Sequence, residues 1–133
     1  MDNVIEPQAG ALVMEGTEDT PFVHLDRLSD TYIISGRSLP EDVTEFYKPV
    51  MDWLEEFAKT PEPEIKFMIK LEYFNTASSK VLLDIMMKLE DIHAAGDTGI
   101  CIHWHYMAAD EDMYEAGVEY KDLVSVPFEL ISY

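Results

Sequence analysis

The segment Asn75-Thr76-Ala77-Ser78-Ser79-Lys80 places three hydroxyls and an amide just ahead of an apolar helical run. A helix start of this kind offers unpaired backbone N–H groups and a favourable dipole, both of which suit an anion. Two chemistries fit it. One is ordinary capping, with Asn75, Thr76 or Ser78 satisfying the first N–H groups. The other is phosphorylation: a phosphate on Thr76 would add about -1.5 to -2 charge and three acceptor oxygens at a point where the dipole tolerates them. Ser78 and Ser79 are weaker acceptors by position. Lys80, one turn on, and Arg37, at the end of an earlier strand, are the expected phosphate neighbours.

Two further groups could do chemistry. Cys101-x-His103-x-His105 sets a thiol and two imidazoles on one face of a strand, a donor set suited to a transition metal. That face also carries Lys66, Lys70 and Glu72 and reads as solvated, and such sets need a third or fourth ligand held in geometry, so no metal is expected. Asp110, Glu111, Asp112 and Glu115, interleaved with Met113, Tyr114 and Gly117, could hold magnesium, start a solvated helix or form a partner-binding surface. Enzyme motifs fit poorly. The residue three before Lys80 is Ala77, so no Ser-x-x-Lys pair exists, and the loop lacks the glycines of a phosphate-cradling turn. A receiver domain would need a phosphorylatable Asp near where Asn75 stands.

The elements that must position these residues follow from periodicity. Pro21 introduces strand-like runs over 22–26 and 31–35. From Ser38 the period turns helical: Ser38 and Glu41 match a capping box, Pro40 falls in the expected first turn, and Val43, Phe46, Tyr47, Val50, Trp53, Leu54 and Phe57 form one stripe. Pro49 removes one helical hydrogen bond and should kink the helix. A strand over 65–73, a helix ending near Gly96, a strand over 100–106, a helix over about 109–120 and a strand over 126–131 complete the order β-β-α-β-α-β-α-β. Ile65, Phe67, Ile69 and Leu71 alternate with Lys66, Met68, Lys70 and Glu72, so one sheet face is apolar and the other mixed. The fold class is therefore α/β: one domain with a mixed, mostly parallel sheet of four to five strands and helices chiefly on one face. Residues 1–19, with the apolar run Leu12-Val13-Met14, form an arm or a short edge strand, and 20–133 form the domain. Right-handed crossovers would then gather Arg37, the 75–80 loop and the 110–115 acids at the C-terminal ends of the parallel strands.

Composition narrows the partners. Among 133 residues, 9 Lys+Arg stand against 27 Asp+Glu, a formal net charge of -18. Nucleic acid and anionic membrane surfaces both demand a basic face, so neither is expected. With 47% hydrophobic residues the chain can build a core and is not a disordered acidic tail. There is no signal-peptide pattern and no apolar run of membrane-spanning length, and the single Cys101 suits a reducing compartment, so the expected location is cytoplasmic.

The run Leu71-Glu72-Tyr73-Phe74-Asn75-Thr76-Ala77-Ser78-Ser79-Lys80 resembles the SiaC family of bacterial regulatory phosphoproteins. The likeness extends to Gly36-Arg37-Ser38-Leu39-Pro40-Glu41-Asp42, Trp53-Leu54, the 110–117 stretch and Val126-Pro127-Phe128-Glu129-Leu130, with His105 departing from an apolar strand end. The resemblance implies a STAS-like fold, similar to anti-sigma factor antagonists. It also implies phosphorylation of Thr76 by a partner protein kinase and reversal by a phosphatase of the PP2C type. The unphosphorylated form is implied to bind and activate a diguanylate cyclase, raising cyclic di-GMP and favouring biofilm. No cofactor and no catalysis are implied. The rival readings are a small ligand-binding domain or enzyme at the strand-end edge, and a constitutive adaptor in which Thr76 only caps a helix. If the acids at 110–115 share an edge with Thr76, the matching surface on a target should be basic and binding should weaken with salt.

Overall fold

The structure is a computed structural model that describes residues 11–96 and 98–133. Six strands and three helices follow in the order β1 (Ala11–Met14), β2 (Phe22–Asp26), β3 (Thr31–Ser38), α1 (Val43–Lys59), β4 (Glu64–Phe74), α2 (Thr76–Ala94), β5 (Gly99–Tyr106), α3 (Glu111–Leu123) and β6 (Phe128–Ser132). The strands lie side by side in chain order. The first three pair antiparallel, and β3 to β6 pair parallel through the helical crossovers. The α/β class and mixed sheet are as the alternation implies. The count is six strands, one more than the upper expectation, because the run around Leu12 pairs with β2 and buries Leu12 in the core. The part of the expected arm before Ala11 lies outside the described residues.

One face of the sheet carries the core. Val23, Leu25, Tyr32, Ile34, Ile65, Phe67, Ile69, Leu71, Ile100, Ile102 and Trp104 are all buried and join the helix residues Tyr47, Val50, Leu54, Phe57, Leu82, Ile85, Met86 and Leu89 in one cluster. At roughly 1.5–3 kcal/mol per fully buried large apolar side chain, this layer is the main stabilising contribution. The opposite face stays mixed: Lys66, Lys70 and Glu72 are exposed, while Met68, Cys101, His103 and His105 are half-buried.

Two local readings of the sequence change. Ser38 does not cap α1. Strand β3 runs on through Ser38, which pairs with Phe74 and turns its hydroxyl inward, so the chain cannot enter a helix until Asp42, whose carboxylate accepts from the Glu45 N–H at 3.1 Å. Pro40 accordingly precedes α1. The second change is a bulge. Gly36 pairs with Leu71 and Arg37 with Tyr73, leaving Glu72 as an extra residue in β4. Gly36 supplies a φ of 104°, a backbone conformation that L side chains rarely adopt. The extra residue flips the alternation, so exposed Tyr73 turns outward under the Arg37 guanidinium, 5.7 Å above its ring, and Phe74 turns inward against Trp104.

Candidate functional site

The parallel strands β3, β4 and β5 end together at one end of the sheet, and the segments that follow them build the site. Asn75 is the N-cap of α2, with an extended backbone, and its side-chain oxygen accepts from the Ser78 N–H at 2.8 Å. Thr76 is the first helical residue. Capping is therefore done by Asn75, and Thr76 is exposed, its hydroxyl making no hydrogen bond among the described residues.

The neighbouring hydroxyls are in use. Ser78 is fully buried, and its Oγ donates to the Ser38 carbonyl at 3.0 Å while lying 2.8 Å from Ser38 Oγ. Ser38 Oγ lies 2.6 Å from Tyr47 OH. Each hydroxyl has one proton, so a single assignment satisfies the set: Tyr47 donates to Ser38, Ser38 to Ser78, and Ser78 to the Ser38 carbonyl. Burial pushes Tyr47 up to about 12, which keeps its proton in place at neutral pH. The same Ser38 carbonyl accepts from the Asn75 N–H at 3.1 Å. Ser79 Oγ donates to the Thr76 carbonyl at 2.6 Å, and the Ser79 carbonyl accepts from Tyr120 OH at 2.7 Å. The first turn of α2 is thus pinned to β3, α1 and α3, with Thr76 left facing solvent.

Lys80 is exposed on the next turn and makes no ion pair among the described residues. Arg37 is occupied elsewhere: its Nε donates to the Glu18 carbonyl at 3.2 Å and its guanidinium covers Tyr73. The expected acidic patch begins the helix after the adjoining strand. Asp110 caps α3, accepting from the Met113 N–H at 3.0 Å, while Glu111, Asp112 and Glu115 are exposed. Tyr114 is exposed, its ring centroid 5.3 Å from that of Tyr106. Trp104 holds this helix in place by donating its indole N–H to the Met113 carbonyl at 3.0 Å. The close approach needs Gly117, where an added Cβ would lie 2.5 Å from Trp104 and 2.6 Å from Leu130.

The hollow at this end is shallow, lined by Met107, Ala109, Asp110, Glu111 and Asp112. A larger hollow opens elsewhere, between Asp30, Tyr32, Glu64, His93, Cys101 and Pro127. Sequence reading missed Tyr47 and Tyr120 as supports of the α2 start. Tyr47 falls on the apolar stripe of α1 and reads as core, and nothing local to Tyr120 announces its bond to Ser79.

Comparison with known proteins bears on the family and the fold. A family model described as "SiaC family regulatory phosphoprotein" matches residues 14–133. An uncharacterised protein of Pseudomonas aeruginosa is 31% identical over 119 residues, covering 90% of this chain and 94% of that one. The crystal structure of apo-SiaC from Pseudomonas aeruginosa superposes with a TM-score of 0.81 at 30% identity, covering 92% of this chain and 98% of the other. A crystal structure of the diguanylate cyclase SiaD in complex with its activator SiaC, from the same organism, matches with a TM-score of 0.82 at 31% identity, covering 92% and 99%.

Proposed function

Because the chain belongs to the SiaC family of regulatory phosphoproteins, we propose that it is a non-enzymatic partner switch controlled by phosphorylation of Thr76. The observation that carries this reading is the sorting of hydroxyls at the start of α2. Three stand within four residues; Ser78 is buried in a hydrogen-bonded relay, Ser79 is bonded back to the helix, and Thr76 alone is exposed and unbonded among the described residues. A protein kinase can reach Thr76 and a PP2C-type phosphatase can reverse it without disturbing the relay.

The unphosphorylated chain binds and activates a diguanylate cyclase, raising cyclic di-GMP and favouring biofilm, as the complex of the Pseudomonas SiaC with SiaD suggests by likeness. A phosphate on Thr76 adds bulk and negative charge at an exposed point of the α2 start, where it would obstruct a partner surface packed against the bare hydroxyl. Tyr114 supplies an exposed aromatic contact on α3. A shallow hollow at this end supports protein docking over turnover of a small substrate. A constitutive adaptor would need Thr76 as the cap, and Asn75 fills that position. Among the described residues no helix is long and apolar enough to cross a membrane, in keeping with a cytoplasmic role.

Intact-mass measurement of the chain purified from its native host, beside a Thr76→Ala variant, tests the switch. A phosphate mapped to Thr76 and absent from the variant is expected; no phosphate on Thr76 in any growth condition would overturn it. Binding of the cyclase should be retained by Thr76→Ala and weakened by phosphorylation of Thr76, and equal affinity for the phosphorylated and unphosphorylated forms would overturn the switch.

A further inference from the structure

The open face of the sheet holds a cluster that the phosphoswitch does not use. Cys101 and His103 point to the same side of β5, and the parallel register sets His103 opposite Glu129 on β6. Ligand atoms of Cys101, His103 and Glu129 all lie within 4.8 Å of one another, and Cys101 Sγ is 3.7 Å from Glu129 Oε2. The third ligand that the local spacing of Cys101 and His103 lacks comes from a residue 28 positions from the cysteine. The geometry points to a divalent transition-metal site, suited to zinc, made by Cys101, His103 and Glu129 with water in the fourth position.

The donor set fits the chemistry. Thiolate, imidazole and carboxylate bind zinc at about 2.3, 2.0–2.1 and 2.0–2.2 Å, so tetrahedral ligand atoms sit roughly 3.3–3.6 Å apart, reached here by closing the widest separation by up to roughly 1.5 Å. Such a shift is within side-chain torsion for half-buried Cys101 and His103 and exposed Glu129. The soft sulfur selects zinc or cobalt over calcium and magnesium. Cys101 also lines the larger hollow, so an ion has a path from solvent.

Two charged groups bear on the thiol. Burial and the Glu129 carboxylate raise its pKa, and Lys66, its register partner on β4, opposes them. His105, next on this face, lies outside the cluster, with its ring centroid 6.3 Å from that of His103. A metal here ties β5 to β6 on the face opposite the helices.

The test uses the full chain without an affinity tag, stripped with a chelator. Cobalt is added first, followed by zinc competition with calorimetry near neutral pH. One cobalt per chain should give a thiolate-to-cobalt charge-transfer band, which zinc should displace. Cys101→Ser should abolish the band. His103→Ala and Glu129→Gln should each weaken zinc at least about tenfold, while His24→Ala, on β2, should change nothing. Thermal midpoints in chelator establish that each variant is folded. Absence of the band, or zinc affinity equal in the parent chain and in Cys101→Ser, would overturn the site and assign any binding to the diffuse acidic surface.

Discussion

The end of the sheet that holds Thr76 and the open face that holds Cys101 are built from the same strands, yet they follow opposite rules. At the strand ends, polar groups are locked: Ser38, Tyr47 and Ser78 satisfy one another in the interior, and Asn75 and Asp110 cap their helices. On the open face, polar groups are left to solvent and to one another, with Lys66 and Glu129 exposed and His103 half-buried. The first arrangement holds one exposed residue in a fixed frame, as a recognition site requires. The second leaves ligands adjustable, as capture of an ion requires.

The widest gap between the two should appear at neighbouring positions of β5. Trp104 is buried at 1% exposure and bonds Met113, so Trp104→Ala should cost about 3–5 kcal/mol. His103→Ala, one residue earlier and on the open face, should stay within about 0.5 kcal/mol in metal-free protein. Urea denaturation of both variants checks this, and similar losses would erase the distinction between the faces. Next comes Gly117→Ala, which drives a Cβ into Trp104 and Leu130 and should cost about 1–3 kcal/mol. Because it displaces the helix that presents the acids, it should also weaken cyclase binding, read by calorimetry with the purified partner.

Smaller effects sharpen the contrast within the site. Ser78→Ala strands the Ser38 hydroxyl and should cost about 1–2 kcal/mol, whereas Thr76→Ala should be nearly neutral in chemical denaturation. Equal costs would mean that Thr76 supports the fold and is not merely displayed by it. Asn75→Ala, removing the cap of α2, should cost about 1 kcal/mol, and Asn75→Ser should recover most of it. At the alkaline end Tyr47 acts with the same sign as Tyr32 and Tyr120, whose pKa values burial also raises. The folded pKa of Tyr47, about 12, is raised above the ordinary value of 10.0, so its contribution is complete below pH 10.0 and is lost as pH climbs toward 12. Tyr47→Phe should make that part of a stability–pH curve shallower, with Tyr32 and Tyr120 leaving a residual slope.

Much of the architecture was legible because it repeats at short range. The alternation of Ile65, Phe67, Ile69 and Leu71 and the spacing of Leu82, Ile85, Met86 and Leu89 each depend on one strand or helix, and both faces came out as those periods imply. The position of Thr76 at the start of a helix was legible for the same reason. Ser38 shows where such reading fails. Its match to a capping box with Glu41 is real as a pattern, but pairing with β4 draws Ser38 into the sheet, and Asp42 takes the cap. Tertiary pairing outweighed local preference.

The sequence by itself determined the order of elements, the apolar and mixed faces and the acidic excess, since these are set by residue type and by periods of two and of three to four. Only the tertiary structure decided which hydroxyl at the α2 start is displayed, where the extra residue in β4 turns Tyr73 outward and Phe74 inward, and that Glu129 meets Cys101 and His103. Each of those rests on the register between strands or on packing between elements far apart in the chain. A shift of one residue in that register would turn a side chain to the other face, and no local pattern encodes it.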